Sequence, residues 1–200
     1  MLDAPIRRFA ASPLEALADG MVRAGVRANT ITCLGFAMGM VAAALIATAD
    51  FLPAVVFLAL NRFADVLDGM IARRTRATAL GAFLDTSLDM FVAATVPFGF
   101  ALAHQQDGLA AAFLMLGLIV AAVPGLAARA LTPHANVNAP PAPPFALIGH
   151  SETFIAFALM CVAPRWTFSI FAYLFGVLCF MSGGIGVGSA IANFRTQAKP

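Results

Sequence analysis

Charged side chains are scarce in this sequence. Asp, Glu, Lys and Arg make up 11% of the 200 residues, and hydrophobic residues make up 61%. A soluble domain carries roughly 25% charged residues. So few charges exclude a fold surrounded by water alone, and a mean hydropathy of +0.89 points to a bilayer as the solvent. The net charge of +2 says little by itself, and no nucleic-acid partner is expected. Cysteine is also sparse. Cys33, Cys161 and Cys179 are odd in number, fit no zinc spacing and sit in apolar runs, so they read as small core or lipid-facing hydrophobes. The N-terminus, with Arg7, Arg8, Pro13 and Glu15, lacks the long apolar run of a cleaved secretory signal. No internal repeat is evident.

What is present is a series of apolar segments. The length suits about six spans of roughly 20 residues. Residues 10–27 mix Leu14, Leu17, Met21 and Val22 with Glu15, Asp19, Arg23 and Arg27, the pattern of a short helix lying in the membrane interface. The expected spans run over about 29–49, 51–72, 81–103, 109–128, a fifth from Phe145 or Ser151 to Val162, and 168–192. Residues 132–144 are a Pro-rich loop, since Pro disrupts helix interiors. The organisation expected is an all-α membrane protein: an N-terminal interfacial segment 1–28, a six-helix transmembrane domain 29–193 and a tail 194–200.

Positive charge orients this map. Ten of the twelve Lys and Arg residues fall on one side: Arg7, Arg8, Arg23, Arg27, Arg73, Arg74, Arg76, Arg129, Arg195 and Lys199. Arg165 falls on the other, and Arg62 lies within a span. The charge rule makes the richer side cytoplasmic and puts both termini there.

Acidic residues cluster where they are most costly. Asp65 and Asp68 are three residues apart near the end of the second span, and so share a helix face. Gly81, Asp85 and Asp89 recur every four residues at the start of the third. A short loop makes these helices antiparallel neighbours, so the two acidic faces meet. Four carboxylates at membrane depth repel unless something positive sits between them. Hard oxygen donors, with no His or Cys nearby in sequence, suit Mg2+, Mn2+ or Ca2+. Capping or snorkelling explains one such Asp, not four.

Written out, the segment is Asp65-Val-Leu-Asp68-Gly69-Met-Ile-Ala72-Arg73, seven residues, then Gly81-Ala-Phe-Leu-Asp85-Thr-Ser-Leu-Asp89. It resembles the signature of the CDP-alcohol phosphatidyltransferase family, D-x2-D-G-x2-A-R, a spacer, G-x3-D-x3-D. All eight fixed positions match, and the spacer is one residue shorter than the family's eight. Asn29-Thr30-Ile31-Thr32 resembles the family's polar start to its first span.

The resemblance implies transfer of a phosphatidyl group from CDP-diacylglycerol, or a related CDP-alcohol, to an acceptor alcohol, with CMP leaving. It implies that Asp65, Asp68 and Asp85, with Asp89 close by, hold two Mg2+ or Mn2+ ions, and that Asp89 is the general base. Asn29, Thr32, Gly69, Ala72, Arg73, Thr78 and Gly81 would bind the nucleotide half of the donor. The expected location is the cytoplasmic face of a bacterial inner membrane. Arg74 and Arg76, which the motif does not fix, read as topology or lipid-phosphate residues.

The acceptor side is thinner. Candidates are Arg129, His134, His150, Ser151 and Glu152, of which Arg129 and Glu152 are carried forward. The scarcity of cations there leans against a phosphorylated polyol. Arg62 should pair with a carboxylate or face the polar cavity. His104 and Asp107 read as loop residues on the opposite side. Gly183, Gly184, Gly186 and Gly188 indicate tight helix packing, or a seam for a lipid groove or a homodimer. Two competing readings are a small cation transporter and a catalytically silent lipid-binding relative. A transporter should continue polar beyond Asp89, where the sequence is FVAATVPFGFALA. The intact motif argues against a silent relative.

Overall fold

A computed structural model of the chain describes residues 11–131 and 148–197. The Pro-rich loop, Arg7, Arg8, His134, Lys199 and the Phe145 start of the fifth span lie outside the described residues. Within them the protein is all-helical: α1 (Ala11–Arg23), α2 (Ala28–Ala47), α3 (Phe51–Arg74), α4 (Ala79–Ala103), α5 (Gly108–Leu131), α6 (His150–Val162) and α7 (Phe168–Gln197).

Among the described residues, four segments are long and apolar enough to cross a membrane: Ala28–Ala47, Ala79–Ala103, Gln105–Ala128 and Arg165–Arg195. The other two expected spans differ, each for a physical reason. α3 has the length, at 24 residues, but carries Asn61, Arg62, Asp65 and Asp68 from its middle onward. α6 has 13 residues, about 20 Å of helix against a hydrocarbon core of about 30 Å. Many large apolar side chains point outward, among them Leu52, Phe83, Phe91, Leu109 and Ile170. Exposed apolar area on this scale belongs against lipid, and the protein is an integral membrane protein.

α2 is the central element. It packs on α3 and α4, while α5 packs on α7, and α4 joins the two groups through α5. Small residues set the closest approaches. A Cβ at Gly99 would stand 2.6 Å from the Ala43 carbonyl oxygen, and one at Gly183 2.6 Å from that of Val120, so neither helix pair could keep its spacing with a larger residue. Gly184 and Gly188, by contrast, face open space, so only part of the glycine-rich stretch serves packing within the chain. α1 rests on α3, with Ala18 fully buried. Arg74 donates to Asp19 at 2.5 Å across that contact, so its partner within the fold is a carboxylate of α1.

The end of the bundle away from the aspartates is built on aromatics. His104 is a loop residue in the turn after α4, and a well-held one. It is 9% exposed and stacks on Phe168 with ring centroids 4.5 Å apart and planes 2° apart, with Phe51 at 5.7 Å. Ser169 donates to Asp107 at 2.6 Å. Cys161 and Cys179 are buried and Cys33 is exposed.

α6 does not follow its chain neighbour. It packs mainly on α3, which brings its N-terminal residues to the acidic end of the bundle.

Candidate functional site

Each aspartate is carried on a helix that is fixed by other contacts. α3 is held against α2 where Asn61 donates to the Gly35 carbonyl at 3.0 Å, which satisfies a polar side chain far from either helix end. α4 starts where Thr78 accepts from the Gly81 amide at 3.0 Å, the N-cap bond that a hydroxyl supplies. Four residues, 75–78, join α3 and α4.

The two acidic faces meet. Carboxylate oxygens of Asp65, Asp68 and Asp85 lie within 4.8 Å of one another. A second group on the same scale joins Asp65 and Asp89 to His150. All four aspartates line one cavity, closed on the α2 side by Thr32 and Gly35. Asp68 is 5% exposed, and its Oδ2 has no hydrogen-bond partner. A buried carboxylate oxygen without a partner is expensive, and charges of one sign this close in a low dielectric repel strongly. An array of hard oxygen donors with one orphaned at its centre fits a divalent cation.

The sequence-predicted neighbours converge on this end. Thr32 donates to the Ala28 carbonyl at 3.1 Å and shares the cavity wall with Asp68. The Arg73 guanidinium folds over Gly69, where a Cβ would stand 3.4 Å from Nη1. A Cβ at Gly81 would meet Asn29 Oδ1 at 2.9 Å and Thr78 Oγ1 at 3.1 Å. Gly81 therefore lets Asn29 approach α4, and Asn29, Thr78 and Gly81 form one small polar patch. Ala72, half-buried, lies one helical turn beyond Asp68 on α3.

The acceptor-side residues divide. Glu152 accepts from the Gly149 amide at 3.1 Å, a bond within its own helix terminus. Arg129 lies on α5, and its side chain is outside the described residues. Arg62 pairs with Asp65 and donates to Ser151 at 3.1 Å, so it bridges α3 and α6 at the cluster. His150 Nδ1 stands 3.2 Å from Asp89 Oδ2. Sequence reasoning missed both links. They span long stretches of chain, and no periodicity relates residues 62–89 to 150–151.

Beyond Asp89, α4 continues with Val92, Val96 and Phe100, all buried, so no run of polar groups leads from the cluster toward the other end.

The family of CDP-alcohol phosphatidyltransferases matches residues 26–183. The chain belongs to that family. Inner membrane protein YnjF of Escherichia coli (strain K12) is 38% identical over 182 residues, 88% of each chain. A phosphatidylinositol phosphate synthase of Streptomyces avermitilis is 35% identical over 111 residues, 54% of this chain and 45% of that one. The fold is also that of solved structures. The Mycobacterium tuberculosis phosphatidylinositol phosphate synthase (PgsA1) with CDP-DAG bound superposes with a TM-score of 0.72 at 18% identity, covering 88% of this chain and 92% of that one. The same protein in complex with manganese and citrate gives 0.73, again at 18% identity, over 89% and 88% of the two chains. As a member of this family the chain is a metal-dependent phosphotransferase, and its oxygen-rich cluster fits the metal.

Proposed function

We propose that this phosphatidyltransferase takes CDP-diacylglycerol as donor and moves its phosphatidyl group to the hydroxyl of a small acceptor alcohol. The observation that carries the reading is the convergence of Asp65, Asp68, Asp85 and Asp89 on one cavity, with the orphaned Asp68 oxygen inside it. Asp65, Asp68 and Asp85, with Asp89 beside them, hold Mg2+ or Mn2+. The bound metal supplies charge neutralisation for the pyrophosphate and for the oxygens that attack and leave. Asp89 accepts the acceptor's proton as the new P–O bond forms at the lipid-side phosphorus. The bond from that phosphorus to the bridging oxygen of the pyrophosphate breaks, and CMP departs with the bridging oxygen.

Arg73, a planar donor array over Gly69, suits the donor's phosphates. Asn29, Thr32, Ala72, Thr78 and Gly81 frame the nucleotide beside it. The N-terminus of α6, where Arg62, His150 and Ser151 meet the cluster, is the wall that the acceptor must approach. Glu152 serves that wall by holding the Gly149 amide. Six helices cross the membrane in this reading, with α3 and α6 shielded by their neighbours. Both termini and the site lie on the cytoplasmic side of a bacterial inner membrane.

Asp89→Asn should abolish CMP release from CDP-diacylglycerol in the purified protein while thermal unfolding stays near that of the wild type. Full activity in the variant would remove Asp89 as base. Serine, glycerol phosphate, inositol phosphate and choline, offered in parallel and scored by lipid product, assign the acceptor.

A further inference from the structure

The groups gathered at the aspartates include an imidazole from α6. His150 opens α6, and the residues around it are fixed: the Gly149 amide donates to Glu152 at 3.1 Å, and Ser151 accepts from Arg62 at 3.1 Å. From that anchored terminus the imidazole reaches across to α4 and α3. Its Nδ1 lies 3.2 Å from Asp89 Oδ2 and 3.9 Å from Asp65 Oδ2. Ligands at right angles around an octahedral ion with bonds of about 2.1 Å stand about 3.0 Å apart. Both Nδ1–Oδ2 separations lie between that value and the roughly 4.2 Å of ligands on opposite sides of such an ion. Asp65, which also pairs with Arg62, is shared with the neighbouring group of Asp68 and Asp85, so the two groups adjoin.

We propose that Nδ1 of His150 is a ligand to a divalent cation held with Asp65 and Asp89, which makes this centre a mixed nitrogen and oxygen one. The proposal rests on the reading of the cluster as a metal centre and extends it to a residue outside the acidic motif. Its consequence is selectivity. Imidazole binds the later transition metals best and Mn2+ less strongly, whereas Mg2+ prefers oxygen and keeps its waters. A site of aspartates alone would discriminate less between the two.

The experiment uses Mn2+ alone as probe, with the purified full-length protein in detergent and no donor or acceptor. Pulsed electron paramagnetic resonance reads nitrogen bound to the ion. The wild type should show an imidazole 14N coupling, which should convert to a 15N coupling when the protein is made with 15N-histidine. His150→Gln should lose the coupling. It should also raise the Kd for Mn2+ by about tenfold and that for Mg2+ by less than about twofold. The labelling arm needs no variant, so a misfolded substitution cannot obscure the answer. Bound Mn2+ with no histidine coupling would overturn the proposal and leave the aspartate centre standing. Wild-type protein that binds no Mn2+ would overturn both.

Discussion

Asp68 concentrates the chemistry of the site in one residue. Its side chain is almost fully buried, and one oxygen has no partner. The protein therefore holds a carboxylate where it is unfavourable until a cation arrives. Asp68→Asn should raise the unfolding temperature of the metal-free protein, by about 2–4 °C if roughly 1 kcal/mol is relieved. Added Mn2+ should raise that of the wild type but not of the variant, a shift read by thermal melts with and without the ion. At this scale the sequence was informative because charge is rare in it. Each Asp in an apolar run stood out, and helical spacing placed two on each face. Arg62, Ser151 and His150 were visible as candidates, but not their meeting, because only the packing of α6 on α3 creates it. Thr78 and Glu152 show a different gap. Within the fold each bonds a nearby backbone amide, a local contact that residue type alone does not separate from a ligand contact.

Among the elements, the long apolar helices were legible because nothing competes with a run of some twenty hydrophobic residues. α6 was harder to delimit. Its 13 residues lie in a longer apolar stretch, and their position depends on α3 rather than on their own pattern. The segment after α4 also depends on packing. His104 and Asp107 join α4 to α5 as loop residues at the end away from the aspartates, and His104 in addition stacks on Phe51 and Phe168. Burial lowers the pKa of this imidazole, a shift that Arg165 reinforces and Asp107 opposes. Its folded pKa thus lies below the ordinary 6.5. On acidification the unfolded chain takes up the proton first, so the contribution of His104 to stability is present above about pH 6.5 and lost as pH falls through the folded value. Thermal unfolding in detergent should therefore move to lower temperature between pH 7 and 5. His104→Phe, which keeps a ring in the stack, should make that slope shallower.

For the whole molecule, the distribution of positive charge is the strongest statement the sequence makes. Arg73 and Arg74 end α3 and Arg76 follows in the link to α4, while Arg165 lies at the opposite end, over the Phe51 ring at 5.7 Å. Alkaline phosphatase joined after residue 197 should be inactive in bacterial cells, and green fluorescent protein joined there should fluoresce, if six crossings return the chain to the cytoplasm. An active phosphatase would remove one crossing, and α6, the shortest helix of the six, would be the one to reassign.

The four-residue link between α3 and α4 also bears on how the protein comes into being. All four carboxylates reside on one helical hairpin, so their meeting requires closure of only a short loop, the fastest kind of tertiary contact. His150 emerges much later in synthesis, after α5 and the Pro-rich stretch. The hairpin that carries the acidic cradle is therefore complete in the nascent chain before the imidazole wall that closes against it has been made.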